Sequence, residues 1–281
     1  MRFARPIGPP VIVALLVAAC STAGVSTPSF TATPAPPIAP ASTPRPMDHG
    51  PERIVPTTPL ARPAEPAISV RYDAALLADH CVDRDVAAPP ATDVALTVLD
   101  RSYALPAGHA PADLVPASNA GLTGTSGTKL VRSIVVDDLA AMAAAWREAG
   151  LSVILESAYR SYESQAATFD SWVSRIGYAA ALGRSARPGH SEHQLGTAID
   201  VTSPGWGGRF GDWAVESPEG AWMAENAWRY GFVMSYPAGS QADTCFSYEP
   251  WHYRWIGRDA AAAHRTSGLQ LRRFLERYVG G

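Results

Sequence analysis

The stretch GHSEHQLGTAIDV, Gly189 to Val201, decides how this chain is read. Its second half, with Ala198, Ile199 and Val201, has the apolar content of a buried strand. Its first half crowds His190, Glu192 and His193 together in a chain that has only seven histidines. Polar groups beside such a strand are held on something rigid, and the flanking sequence indicates what they hold.

Outward from this stretch, helices and strands alternate without a regular order. Ser133 to Gly150, SIVVDDLAAMAAAWREAG, has apolar residues at helical spacing and a glycine stop. LSVILESAYR reads as a strand centred on Val153, Ile154 and Leu155. Ser161 is positioned to cap a following helix, YESQAATFDSWVSRIG, that Gly177 ends. GAWMAENAWRYG reads as a helix and EPWHYRWIG as a further strand, in which Trp251, Tyr253 and Trp255 alternate as core packing. The pattern predicts an α+β domain, an antiparallel sheet with helices packed against it.

The amino terminus addresses the compartment. Arg2 and Arg5 precede an apolar run from Val11 to Ala19 that is too short to span a bilayer and suits a secretory signal over residues 1–19. Ala18 and Ala19 directly before Cys20 resemble a lipobox, although Val17 stands where leucine is commoner; an ordinary signal peptide is the alternative. Residues 20–66 then shift to Pro, Thr, Ala and Ser, as in TATPAPPIAPASTPRP, and read as a lipidated cysteine followed by a disordered tether. Such a tether reaches on the order of 100 Å when extended. Residues 67–281 are long enough for one buried domain. The formal net charge of -3 and the scattered arginines exclude a nucleic-acid surface.

His193 and Asp200 lie seven residues apart across a turn at Gly196, and His252 comes from a separate predicted strand. Two imidazoles, one carboxylate and an open position form a catalytic zinc arrangement, in which the metal activates a water. Glu249, three residues before His252, would supply the base, with Pro250 holding it in extended backbone rather than on a helix. Each group alone also has a bland reading. His193 fits a hydrogen-bonded loop histidine, Asp200 a strand-end acid and Glu249 a surface charge, so spacing by itself does not decide for a metal.

The combination resembles the zinc D-alanyl-D-alanine carboxypeptidases of the VanY-like type, which trim peptidoglycan stem peptides. SEHQLGTAIDV matches Ser-x-His-x-x-Gly-x-Ala-x-Asp and YEPWH matches the Glu-x-x-His segment. SAYRSYESQ, WMAENAWRYGF and YALPAGHAPADLVP extend the resemblance over most of residues 95–281. It implies a hedgehog/DD-peptidase-like fold, with zinc held by His193, Asp200 and His252. Glu249 would act as general base and then acid, and Arg160 would stabilise the oxyanion. Gln165 and Ser191 match substrate-contacting positions, though Gln165 also fits a first-turn helix residue and Ser191 a turn cap. His190 lies outside the motif and reads as a residue behind a ligand or on the substrate side. Relatives often carry Arg-Tyr-Pro where this chain has Ser235, Tyr236 and Pro237, so a basic contact near the site is expected to be missing.

These readings describe an extracytoplasmic zinc peptidase, anchored by lipid to the outer face of a bacterial membrane or secreted if Cys20 is not acylated. Its partner would be a peptidoglycan stem ending in D-alanyl-D-alanine. The alternatives are an L,D-carboxypeptidase on tetrapeptide stems and a wall-binding module that keeps zinc without catalysis; the intact Glu249 and Arg160 argue against the latter. With Cys20 assigned to lipid, Cys81 and Cys245 remain as an even pair in an oxidising compartment and are expected to form a disulfide, two buried free thiols being the alternative.

Overall fold

The computed structural model describes residues 78–88, 94–206, 213 and 215–280. The expected signal segment, Cys20 and the tether lie outside the described residues. Two short strand pairs come first. Val86–Ala87 (β1) pairs in parallel with Tyr103–Ala104 (β2), and Leu114–Pro116 (β3) pairs antiparallel with Leu130–Arg132 (β4). The main sheet has four strands, Ile154–Ser157 (β5), Ala198–Thr202 (β6), Phe232–Met234 (β7) and His252–Trp255 (β8), in the order β5-β6-β8-β7 with every pair antiparallel.

Strand β6 is buried along its whole length, as its Ala, Ile and Val content requires of a strand covered on both faces. Alternation sends Ile199 and Val201 to one face, where they join Leu155, Phe232 and Tyr253 in the main core. The helix Val136–Glu148 (α1) closes that core with Leu139, Met142, Ala143 and Trp146. It starts with Asp137 and Asp138 and has Arg147 in its last turn, charges that suit the helix dipole at each end. The opposite face of β6 and β8 carries Asp200, His252 and Arg254, and Asp200 is paired directly with His252 across the strands.

Helix Tyr162–Ile176 (α2) begins where expected, with Ser161 Oγ accepting from the Ser164 amide at 3.2 Å, and ends at Gly177. A short helix, Tyr178–Ala181 (α3), follows directly. The helix expected over GAWMAENAWRYG divides into Pro218–Asn226 (α4) and a 3-10 turn at Ala227–Tyr230. Tyr230 stacks on Trp222, with ring centroids 6.1 Å apart, so aromatic packing in the tightened turn accompanies the break in helical periodicity. Gln241–Thr244 (α5), Arg258–Ser267 (α6) and Leu271–Gly280 (α7) complete the chain. From α6 and α7, Ala261, Leu271 and Phe274 build a second core with Tyr103 and Ile256.

The three alternating aromatics separate into different roles. Tyr253 is in the core, and Trp255 packs against it with its Nε1 donating to Asp138 Oδ2 at 2.8 Å. Trp251 precedes the strand and lines a cleft instead. Cys81 and Cys245 form a disulfide with their Cα atoms 5.5 Å apart. No helix among the described residues is long and apolar enough to cross a membrane.

Candidate active site

The cleft opens over the polar face of β6 and β8, and Arg160, Ser191, His193, Asp200, Glu249 and His252 all line it. Two backbone devices bring the candidate metal-ligating groups together. The pairing of β6 with β8 sets Asp200 beside His252, and the 3-10 turn Glu192–Leu195 carries His193 back over the start of β6. That turn closes at Gly196, whose φ of +73° is left-handed and where a Cβ would come within 2.9 Å of the Arg132 side chain. Glycine therefore meets both a conformational and a steric demand there.

His193, Asp200 and His252 each offer a ligand atom, all within 4.8 Å of one another. His193 Nδ1 donates to the Ala158 carbonyl at 2.6 Å, which leaves Nε2 as the free lone pair, 3.1 Å from Asp200 Oδ2. This Nε2 is buried without a hydrogen-bond partner among the described residues, the condition of an atom that fits a cation better than a proton donor. Burial and the nearby Arg160 lower His193 to about 4, so its ring is neutral and ready to coordinate. Asp200 is buried, which by itself would raise its carboxyl, but the two histidines hold it well below the usual carboxylate range. The donor set, two nitrogens and one oxygen meeting in a buried pocket, fits zinc with a position left for solvent or substrate.

His252 is held from two sides. Its Nδ1 faces Asp200 Oδ1 at 3.0 Å and its Nε2 faces Glu192 Oε2 at 2.9 Å. Burial opposes protonation of this ring, but the two carboxylates overcome it and raise His252 to about 10. Glu192 is in turn the acceptor for Ser235 Oγ at 2.6 Å and Arg254 Nη1 at 2.9 Å. Burial alone would push its carboxyl up; Arg254, His252 and Ser235 bring it down to about 2. The motif that contains Glu192 assigns it no role, and Arg254 lies outside that motif, although an arginine on the histidine strand of an apolar sheet is a visible signal. Ser235, where a basic contact was expected to be lost, hydrogen-bonds Glu192 while Arg254 supplies the positive charge.

Glu249 sits half-buried in the same cleft, and no hydrogen bond from the described residues reaches its carboxylate. Burial pushes it up to about 7, with His252 and Arg160 pulling down and Asp200 pushing further up. Arg160 lines the cleft, and its Nε has no hydrogen-bond partner among the described residues. Ser191 also lines the cleft, with its hydroxyl accepting from the His193 amide at 3.4 Å. Gln165 does not line it: the side chain is buried on α2 and donates to Ser185 Oγ and the Ala186 carbonyl, at 3.1 and 2.7 Å, bracing a segment of the cleft wall. His190 lies behind the site, with Nδ1 donating to the Asp100 carbonyl at 2.7 Å and Nε2 facing Asp85 at 2.9 Å.

Comparison with known proteins gives a consistent result. The VanY family, D-alanyl-D-alanine carboxypeptidase, matches residues 128–258, the span that contains every one of these cleft residues. The chain is 34% identical over 183 residues to a putative carboxypeptidase, YodJ, of Bacillus subtilis, covering 65% of this chain and 67% of that one. Among solved structures it is similar to the LdcB LD-carboxypeptidase, with a TM-score of 0.58 and 34% identity over 63% of this chain and 84% of the other. It is also similar to the vancomycin-resistance D,D-pentapeptidase VanY in complex with Zn(II), with a TM-score of 0.55 and 29% identity over 65% of this chain and 99% of the other.

Proposed function

The chain belongs to the VanY-like D-alanyl-D-alanine carboxypeptidase family, and from that premise we propose that it removes the terminal D-alanine from peptidoglycan stem peptides as a zinc metallopeptidase. The observation that carries this reading is the buried convergence of His193, Asp200 and His252 beneath a cleft that also holds Glu249. Zinc, when bound by those three side chains, supplies a Lewis acid that polarises the scissile carbonyl and acidifies water. The remaining chemistry belongs to the chain itself.

Glu249, raised to about 7, is matched to proton exchange near neutral pH and receives from the described residues no hydrogen bond that would hold it ionised. It takes a proton from the attacking water and delivers it to the leaving amine. Arg160 lines the cleft with a permanent positive charge, and its buried Nε–H has no hydrogen-bond partner among the described residues; it stabilises the carbonyl oxygen that gains negative charge during attack. Ser191, at the rim of the metal turn, contacts the peptide. Gln165 acts on substrate through the Ser185 and Ala186 segment that it holds.

A second reading, cleavage of the L,D bond of a shortened stem, is favoured by the similarity to the LD-carboxypeptidase LdcB. The metal machinery would serve either bond, so the pocket walls decide. Incubating the full chain with zinc and defined penta- and tetrapeptide stems, followed by mass analysis, separates the two. Loss of one D-alanine from the pentapeptide alone is expected, loss from the tetrapeptide alone would replace the first reading with the second, and no cleavage of either would overturn both.

A peptidoglycan substrate places the enzyme outside the cytoplasm, and the Cys81–Cys245 disulfide suits an oxidising compartment. Within the same proposal, Cys20 carries lipid and residues 21–66 give the domain its reach from the membrane. A Cys20→Ser variant should lose lipid labelling and leave the membrane fraction.

A further inference from the structure

We propose that Glu192 is the positioning residue of the metal centre: it fixes which nitrogen of His252 carries the proton and thereby presents Nδ1 to the metal, with Ser235 and Arg254 holding its two oxygens in place. The inference rests on the zinc reading above and extends it to residues that touch neither substrate nor metal.

An imidazole can ligate through either nitrogen, and what the other nitrogen donates to decides between them. In His252 the choice is geometric. Nδ1 points to Asp200 Oδ1 at 3.0 Å, toward the other ligands, while Nε2 points away to Glu192 Oε2 at 2.9 Å. The same Oε2 accepts from Ser235 Oγ at 2.6 Å, so two donors converge on the oxygen that faces the ring. The other oxygen, Oε1, accepts from Arg254 Nη1 at 2.9 Å. Arg254 is anchored through Nη2 on the carbonyls of Ala95 and Thr97, at 2.7 and 2.6 Å.

All four side chains are buried, with Glu192 only 5% exposed and Arg254 0%. A buried acid and base serving stability alone would satisfy each other, and apolar side chains of similar volume often replace such a pair without loss. Here one carboxylate oxygen is committed to the ring nitrogen of a ligand. His193 solves the same problem differently, by donating Nδ1–H to the Ala158 backbone carbonyl at 2.6 Å. The two histidines therefore present opposite nitrogens, each set by a partner on the side away from the metal.

The test uses the full chain, titrated with zinc against a competing chelator, and the absorption spectrum of the Co(II)-loaded protein, which reports ligand geometry without turnover. Glu192→Gln should bind zinc about 10–100-fold more weakly and alter the Co(II) spectrum, with circular dichroism of the metal-free protein unchanged. Ser235→Ala leaves the Glu192–Arg254 pair intact and should weaken zinc several-fold less than that. A folded Glu192→Gln with wild-type affinity and spectrum would overturn the proposal. If that variant does not fold, Ser235→Ala decides: unchanged zinc affinity and Co(II) spectrum overturn it, and weaker binding with an altered spectrum supports it. Failure of the wild-type chain to bind zinc would instead remove the zinc reading on which the proposal stands.

Discussion

Two carboxylates flank His252, and the protein treats them in opposite ways. Behind the histidine, Glu192 accepts from the ring, a hydroxyl and a guanidinium and is held at about 2. In front of it, Glu249 receives no hydrogen bond from the described residues and is pushed by burial to about 7. Both are glutamates whose carboxyls desolvation alone would raise, so residue type and desolvation do not distinguish them. Donors do: hydrogen bonds to a charged carboxylate favour its ionised form, and desolvation without them favours the neutral one. One acid is thereby made a fixed anion that orients a ligand, and the other a group able to gain and lose a proton near neutral pH.

The comparison is broken most severely at Glu249. Glu249→Gln should lower kcat by about 10²–10⁴-fold while stoichiometric zinc remains, whereas His252→Ala should lose the metal with the activity. Parallel measurement of bound zinc and turnover checks this; equal metal loss in both variants would show that Glu249 is a ligand and that the two acids do not differ as described.

The next effect concerns how the front segment is held. Cys245 lies four residues before Glu249 and is tied to Cys81 across a separation of 164 residues. Glu192, by contrast, is held by hydrogen bonds and ion pairs, with no covalent tie beside it. Reducing the disulfide should lower the stability of the domain by about 2–4 kcal/mol and reduce turnover before it reduces zinc binding. Melting curves and activity with and without reductant test the order, and thiol counting on denatured, unreduced protein should find no free thiol from Cys81 or Cys245.

A smaller effect sharpens the contrast in sign. Glu249 is raised above the ordinary glutamate value near 4.5, so its contribution to stability is fully present below that value and is lost as pH rises through about 7. Glu192 is depressed, so its contribution is present above that ordinary value and is lost as pH falls through about 2. In metal-free protein, Glu249→Gln should therefore be more stable than wild type at pH 8, by on the order of 1–3 kcal/mol, and no more stable at pH 4. Denaturant melts at the two pH values decide it. Zinc uptake by the wild type should also strengthen with pH, by up to about tenfold per unit between pH 6 and 8. Metal binding must displace the proton that Asp200 and Glu192 stabilise on His252, whose value is about 10. Titration with zinc in weakly buffered solution should release that proton.

Much of this architecture was legible in one dimension. The helix that Ser161 caps and Gly177 ends is written in neighbouring residues, because a cap acts over three or four positions. The burial of β6 is written in its own composition, and His193, Asp200, His252 and Glu249 stand at a spacing that matches a family motif. Strand β7 was not anticipated: Phe232–Met234 is only three residues long, too short for a periodic signal, and it exists because β8 offers it an edge. Trp251 shared the alternation of Tyr253 and Trp255, yet it precedes the strand and lines the cleft, since the extent of a strand is set by its pairing partner.

By itself the sequence determined the chemistry available: an apolar strand carrying an acid, two histidines able to reach it, a glutamate beside the second, and an even pair of cysteines for the domain. Only the tertiary structure decided the state of each group. Glu192 and Arg254 stand one residue before His193 and two after His252, in plain view, but a pKa depends on desolvation and on donors brought from elsewhere in the chain. The partner of Glu192 that faces the metal site is 60 residues away and the hydroxyl that braces it is 43 away. Local patterning specifies helices, strands and turns because its interactions are short in sequence. The difference between a fixed anion and a proton carrier arises from contacts that exist only after the sheet has formed.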